Sequence, residues 1–159
     1  MPHPILLYDG VCGLCNRLVQ FILRRDPEGV FRFAALQSAL AGRVLARHGI
    51  RTDDLDTVYV VVDYETPAER LVGRSDAVVL ILKRLGAGFR PAGQPGADVP
   101  TRSSGPTIWR FTGFLLQLVP RRLRDWGYRL VARSRYRIFG RYDACPIPTA
   151  ETRSRFLDE

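Results

Sequence analysis

Ile5-Leu6-Leu7-Tyr8-Asp9-Gly10-Val11-Cys12-Gly13-Leu14-Cys15-Asn16 is the stretch on which the reading of this chain turns. Its first four residues form a short apolar run, the mark of a buried strand, and Asp9-Gly10 breaks it. From Cys12 the pattern becomes helical, with Leu14, Leu18, Phe21 and Ile22 on one stripe and Val19 beside them. Two thiols therefore sit where a strand hands over to a helix N-terminus. Unpaired backbone N–H groups at such an end favour negative charge, and the thiolate is the nucleophilic form of cysteine. Cys12 reads as the nucleophile and the more exposed thiol, with Cys15 placed to attack a mixed disulfide on Cys12. Gly13 is expected to leave the approach to Cys12 open. Asp9 is expected either to raise a thiol pKa by repulsion or to relay a proton to and from Cys15.

Other readings of these cysteines compete. They could be small core residues, although Cys-x-x-Cys between a strand and a helix is a redox signature. Structural zinc wants four ligands, and the further candidates Cys145, His3 and His48 contain no close pair. A phosphatase of the haloacid dehalogenase type uses Asp-x-Asp at a strand end, but Val11 stands at the second Asp position. A dithiol redox site fits best, and it requires neither metal nor cofactor.

The 159 residues are enough for one domain with a single core, and the 46% hydrophobic and 25% charged fractions are those of a globular protein. Three cysteines are too few and odd in number for a secreted disulfide framework. Met1-Pro-His-Pro lacks a basic leader segment, and no apolar stretch approaches the ~20 residues of a membrane span. A reducing, cytoplasmic setting is the expectation. The net charge of +8 is lopsided: residues 1–100 carry 12 basic and 11 acidic groups, residues 101–159 carry 12 and 5.

Outward from the cysteines, Val30 to Ala34 alternates as a second strand, and Gln37 to Ala46 is helical with His48-Gly49 as its stop. Val58 to Val62 is apolar throughout, as a central strand should be, and Glu69 to Val72 pairs back on it. Ser75 reads as the N-cap of a helix through Leu85. The order β-α-β-α-β-β-α is that of a thioredoxin- or glutaredoxin-like α/β core. Residues 86–106 hold five glycines and four prolines and read as a loop. Helices are expected over Ile108–Val119 and Leu123–Ile138, the second turning Leu123, Trp126, Leu130 and Val131 to the core and Arg122, Arg129 and Arg133 outward. The organisation expected is a core over 1–86, a Gly/Pro-rich loop over 87–107 and a helical extension over 108–159 packed on the core as one domain, closed by a short charged tail.

With these motifs in order, the chain resembles the DCC family of thiol-disulfide oxidoreductases, named for an Asp-Cys-Cys motif matched by Asp9, Cys12 and Cys15. Arg32-Phe33-Ala34-Ala35-Leu36-Gln37-Ser38, Arg74-Ser75-Asp76-Ala77 and Arg135-Tyr136-Arg137-Ile138-Phe139-Gly140-Arg141 look like that family too. The resemblance implies a thioredoxin-like fold and protein-disulfide reductase activity on a disulfide-containing protein or small thiol, with electrons from a thiol donor such as the glutathione or thioredoxin system. Thioredoxin-like proteins place a cis-proline before the strand that follows the second helix; here Asp56-Thr57-Val58 stands there. Arg74, Ser75 and Asp76 are the candidate replacement wall, and Tyr8 and Gly13 complete the expected substrate-binding set. Cys145, before Pro146, is a candidate third thiol or a passive tail residue. A rival function is a binding protein using Arg129 and Arg133 on nucleic acid or an anionic surface; with no recognised nucleic-acid module, a solvated basic face is the simpler reading.

Overall fold

The computed structural model describes residues 3–51, 57–87, 107–142 and 152–157. The opening apolar run is β1 (Ile5–Tyr8), followed by α1 (Gly13–Arg25), β2 (Arg32–Ala35), α2 (Ala39–Arg47), β3 (Tyr59–Val62), β4 (Arg70–Gly73), α3 (Arg74–Ala87), α4 (Thr107–Leu118) and α5 (Arg121–Phe139). The sheet runs β2-β1-β3-β4. β1 lies parallel to β2, with Leu6 beside Phe33, and α1 provides the crossover a parallel pair needs. β3 is antiparallel to both β1 and β4. The two central strands are the continuously apolar ones, because both of their faces are covered.

Alternation along the strands splits the core into two layers. Leu6, Tyr8, Val60 and Val62 meet Cys15, Val19 and Ile22 of α1 and Ala77 and Ile81 of α3. Ile5, Leu7 and Val61 meet Ala41, Val44 and Leu45 of α2 on the other face. Ser38 caps α2 by accepting the Ala41 N–H at 3.2 Å, and Gly49 takes φ +66° where the sequence predicted the stop. The molecule has a thioredoxin-like α/β fold with a helical C-terminal part.

Three expectations are corrected. Ser75 is not an N-cap: α3 begins one residue earlier, directly from β4, with Arg74 at φ +59° and its N–H on Val58 O at 3.2 Å. α5 is rotated relative to its expected face, for Leu123, Trp126, Leu130 and Val131 are exposed while Arg135 is buried. The tail is more than charged solvent-facing chain. After a 3-10 turn at Arg153–Arg155, Phe156 stacks on Phe33 at 5.2 Å and the Leu157 N–H donates to Phe33 O at 2.8 Å. Arg155 pairs with buried Asp26, whose carboxylate also accepts the Val30 and Phe31 N–H groups at 3.0 and 2.9 Å. Cys145, and the Gly/Pro-rich stretch apart from its ends in α3 and α4, lie outside the described residues.

Candidate active site

After β1 the chain turns through Asp9-Gly10-Val11, and the Cys12 N–H closes the turn on Asp9 O at 3.2 Å. Asn16 reaches back from α1, donating to Gly10 O at 2.9 Å and Cys12 O at 3.1 Å, so the turn and the helix hold each other. Cys12 is the N-cap residue of α1, with extended φ −84° and ψ 122°, and Cys15 lies in the first turn. Both thiols are free and buried.

Cys12 is not the more exposed thiol: it is 0% exposed and Cys15 3%. The cover is the end of α5. Gly140 O accepts the Gly13 N–H at 3.1 Å, the Tyr142 N–H donates to Val11 O at 2.8 Å, and Arg141 bridges to Cys12. Gly13 therefore does not open the approach to Cys12. A Cβ there would lie 2.1 Å from Phe139 O, so glycine is what allows the α5 terminus to close over the thiol.

Asp9 is fully buried, and its carboxylate is surrounded by donors. Oδ1 accepts from the Val11 N–H at 3.2 Å and Gln37 Nε2 at 2.9 Å, while Oδ2 accepts from Arg135 Nη2 at 3.1 Å and the Tyr136 hydroxyl. The carboxylate expected to act on the thiols is thus occupied by four donors, one of them a guanidinium. Its contact with Cys15 is through the Asp9 backbone N–H instead.

The two thiols are electrostatically unlike. Cys12 is lowered from 9.0 to about 6, first by a hydrogen bond from the Cys15 thiol, against the opposing effect of burial. The backbone N–H of Cys15, the Arg135 charge and the N–H of Leu14 lower it further. Both of these N–H groups belong to the open first turn of α1, where the helix end favours negative charge. Cys15 is pushed up by that same hydrogen bond, by burial and by the negative charge on Cys12. The two shifts run in opposite directions, Cys12 toward the thiolate and Cys15 toward the thiol.

Cys15, not Cys12, borders a cavity of about 490 Å³ between α1, α3, α4 and α5, lined by Leu18, Val79, Leu116, Leu123 and others, with Arg135 at its wall. Ser75 also borders it, but its hydroxyl donates to Asp125 of α5, and Asp76 pairs with Arg124 at 2.6 Å and Arg121 at 3.1 Å. The expected substrate wall is thus the seat of α5. At the position of the missing proline, the Val58 N–H donates to the Tyr128 hydroxyl at 2.9 Å, so α5 occupies the backbone edge a docking peptide would use. Tyr8 is buried against Phe156, edge to face at 6.5 Å, its ring inside the core layer. Among the described residues, no three or more His, Cys, Asp or Glu side chains converge as a metal site, and no helix is long and apolar enough to cross a membrane.

Gln37, Arg135 and Tyr136 received no role from sequence reasoning, although they stand in the stretches that carry the family resemblance. A buried Asp at a strand end was the available signal: it requires donors, and one exposed charge pattern on α5 hid the buried arginine within it.

A thioredoxin-like sheet with two unlike thiols at the first helix N-terminus defines a protein of the thiol-redox class. Residues 6–101 match the family model described as DCC1-like thiol-disulfide oxidoreductase. The chain is 32% identical over 157 residues to the uncharacterized protein YuxK of Bacillus subtilis (strain 168), covering 99% of this chain and 96% of that protein. It is 35% identical over 145 residues to the DCC family protein At1g52590, chloroplastic, of Arabidopsis thaliana, covering 91% of this chain and 70% of that protein. No solved structure matches the chain. The chain belongs to the DCC1-like thiol-disulfide oxidoreductase family, and this membership supports a redox role in general terms.

Proposed function

We propose that this protein exchanges dithiol for disulfide as a protein-disulfide reductase, with Cys12 the attacking thiolate and Cys15 the resolving thiol. The observation that supports this reading most is the split between the thiols, Cys12 lowered to about 6 and Cys15 raised. At neutral pH the resting site is one thiolate and one thiol. Cys12 Sγ attacks a substrate disulfide, forming a mixed disulfide and expelling one substrate thiolate. The bond leaves Cys12 without charge, so two of the effects that raised Cys15, its hydrogen bond to the Cys12 thiolate and the charge there, fall away while burial remains, and the Cys15 proton passes to the leaving thiolate. Cys15 Sγ then attacks Cys12 Sγ, forming the intramolecular disulfide and releasing the second substrate thiolate, which takes a proton from solvent. Substrate is a disulfide-bearing protein or small disulfide, and a cytoplasmic thiol system such as glutathione or thioredoxin restores the dithiol.

Asp9, in this reading, is a positioning residue. It anchors Arg135, whose charge favours the Cys12 thiolate, and it anchors the helix whose end covers that thiol. Attack therefore needs the Phe139–Tyr142 segment to lift from the turn, a motion the substrate induces or awaits. The mechanism is tested with single-cysteine variants. Cys12→Ser is expected to abolish reduction of a dithiol-reducible substrate, and Cys15→Ser to accumulate a mixed disulfide on Cys12, seen by mass spectrometry. Turnover retained by Cys12→Ser would sink the assignment.

A further inference from the structure

Among the described residues, the exposed large hydrophobic side chains all fall between Ile108 and Tyr142. On α4, Ile108, Phe111, Phe114, Leu115 and Leu118 form an exposed stripe at helical spacing, while Gly113 on the opposite side is buried toward α3, where an added Cβ would stand 3.5 Å from Leu82 Cβ. Apart from Arg110, α4 carries no charge at all. A helix apolar on both its inner and outer faces is suited to an apolar solvent beyond the protein. α5 continues the surface with Leu123, Trp126, Leu130 and Val131 exposed. Beside that strip, Arg122, Arg129 and Arg133, spaced by seven and four residues, fall on one side of the helix and are also exposed. The single carboxylate of the two helices, Asp125, is turned inward to Ser75. Among the described residues of the two helices, the outer face is therefore wide, apolar and aromatic, and the charged groups that flank it are arginines.

We propose that the α4–α5 face docks in the plane of an anionic lipid bilayer, with the apolar strips in the acyl boundary and the arginine flank on lipid phosphates. Charge complementarity selects this occupant: a second copy of the chain would bring the same arginines against each other, and nucleic acid would leave the apolar strips in water. The combination of a cationic flank with Trp, Phe and Leu on the neighbouring strip is that of an interfacial helix pair. Leu123 and Val131 belong both to this face and to the lining of the cavity that reaches Cys15, so the docked face is also the mouth through which an apolar molecule would approach the dithiol. Docking needs no redox chemistry and stands apart from the exchange mechanism.

The test is flotation of the full chain with vesicles of phosphatidylcholine alone and of equal parts phosphatidylcholine and phosphatidylglycerol. Binding is expected to the mixed vesicles and to be weakened by salt. The triple variant Arg122→Gln, Arg129→Gln, Arg133→Gln is expected to bind at least about tenfold more weakly. Phe111→Ser with Trp126→Ser, at positions 59% and 60% exposed, should retain the thermal transition of the parent yet lose at least about tenfold in binding. Cys12→Ser should bind as the parent does, which separates this result from the redox assignment. Failure to float with anionic vesicles, a concentration-dependent dimer that Phe111→Ser with Trp126→Ser dissolves, or tight nucleic-acid binding indifferent to that variant would each overturn the proposal.

Discussion

Asp9 and Arg135 lie 126 residues apart in sequence and meet with side chains 1% and 3% exposed. Two charges taken so far from water cost several kcal/mol each in desolvation, and four donors on one carboxylate are what offset that cost. Removing one partner leaves the other charged and unpaired. Arg135→Met is expected to destabilise the protein by about 3–5 kcal/mol in denaturant unfolding. The double variant Asp9→Asn, Arg135→Met should recover part of the loss, because no lone charge stays buried. Both variants should move Cys12 above its value of about 6, read as the midpoint of alkylation rate against pH, since the Arg135 charge is one of the effects that lower it. A restored midpoint in the double variant would show that Arg135 acts on Cys12 only through the fold.

Between elements, the decisive contact is the α5 terminus closing on the α1 N-terminus. Gly13 permits it by lacking a Cβ, and Gly140 turns the chain with φ +76° so that residue 142 reaches Val11. Gly13→Ala cannot keep this contact at 2.1 Å, and the expected result is faster alkylation of Cys12 with a stability loss of about 1–3 kcal/mol. Gly42→Ala is the control: it lies within α2 with nothing within 4 Å of its added Cβ, and it should stabilise by up to about 1 kcal/mol without changing Cys12. Unchanged Cys12 reactivity in Gly13→Ala would refute the lid role of this segment. α3 serves the same end, since Ser75 and Asp76 hold α5 through Asp125, Arg124 and Arg121. Arg74, in a left-handed conformation costing about 1–2 kcal/mol, lets β4 run straight into that helix.

At the scale of the molecule, the thiol pair ties stability to pH. Cys12 has its folded value below the unfolded one, so between about 6 and 9 the unfolded chain binds more protons and the reduced fold gains stability as pH rises. Its contribution is lost as pH falls through about 6. Cys15 is shifted the other way, so above its ordinary 9.0 the native state holds a proton the unfolded chain has released, and stability falls with further rise in pH. Urea unfolding of the reduced protein across this range should show both limbs, and Cys12→Ser with Cys15→Ser should flatten them. Limbs that persist without the cysteines would assign them to other groups.

By itself the sequence determined the element order, the two-sided burial of the central strands, the placement of the thiols at a helix start and the family, because each is written in local periodicity or in residues close together in the chain. Ile5 to Tyr8 and Val58 to Val62 could hardly be anything but buried strands, and His48-Gly49 marked the end of α2, whose start lies at Ala39 rather than the expected Gln37. Only the tertiary structure decided which face of α5 turns inward, which thiol is covered, and which groups surround Asp9. An exposed arginine and a buried one have the same local pattern, and the buried carboxylate that selects Arg135 lies at the far end of the chain. The function of Gly13 was likewise invisible, since a missing Cβ has meaning only when something approaches it. Phe156 and Arg155 looked like tail for the same reason: their partners, Phe33 and Asp26, are more than a hundred residues away.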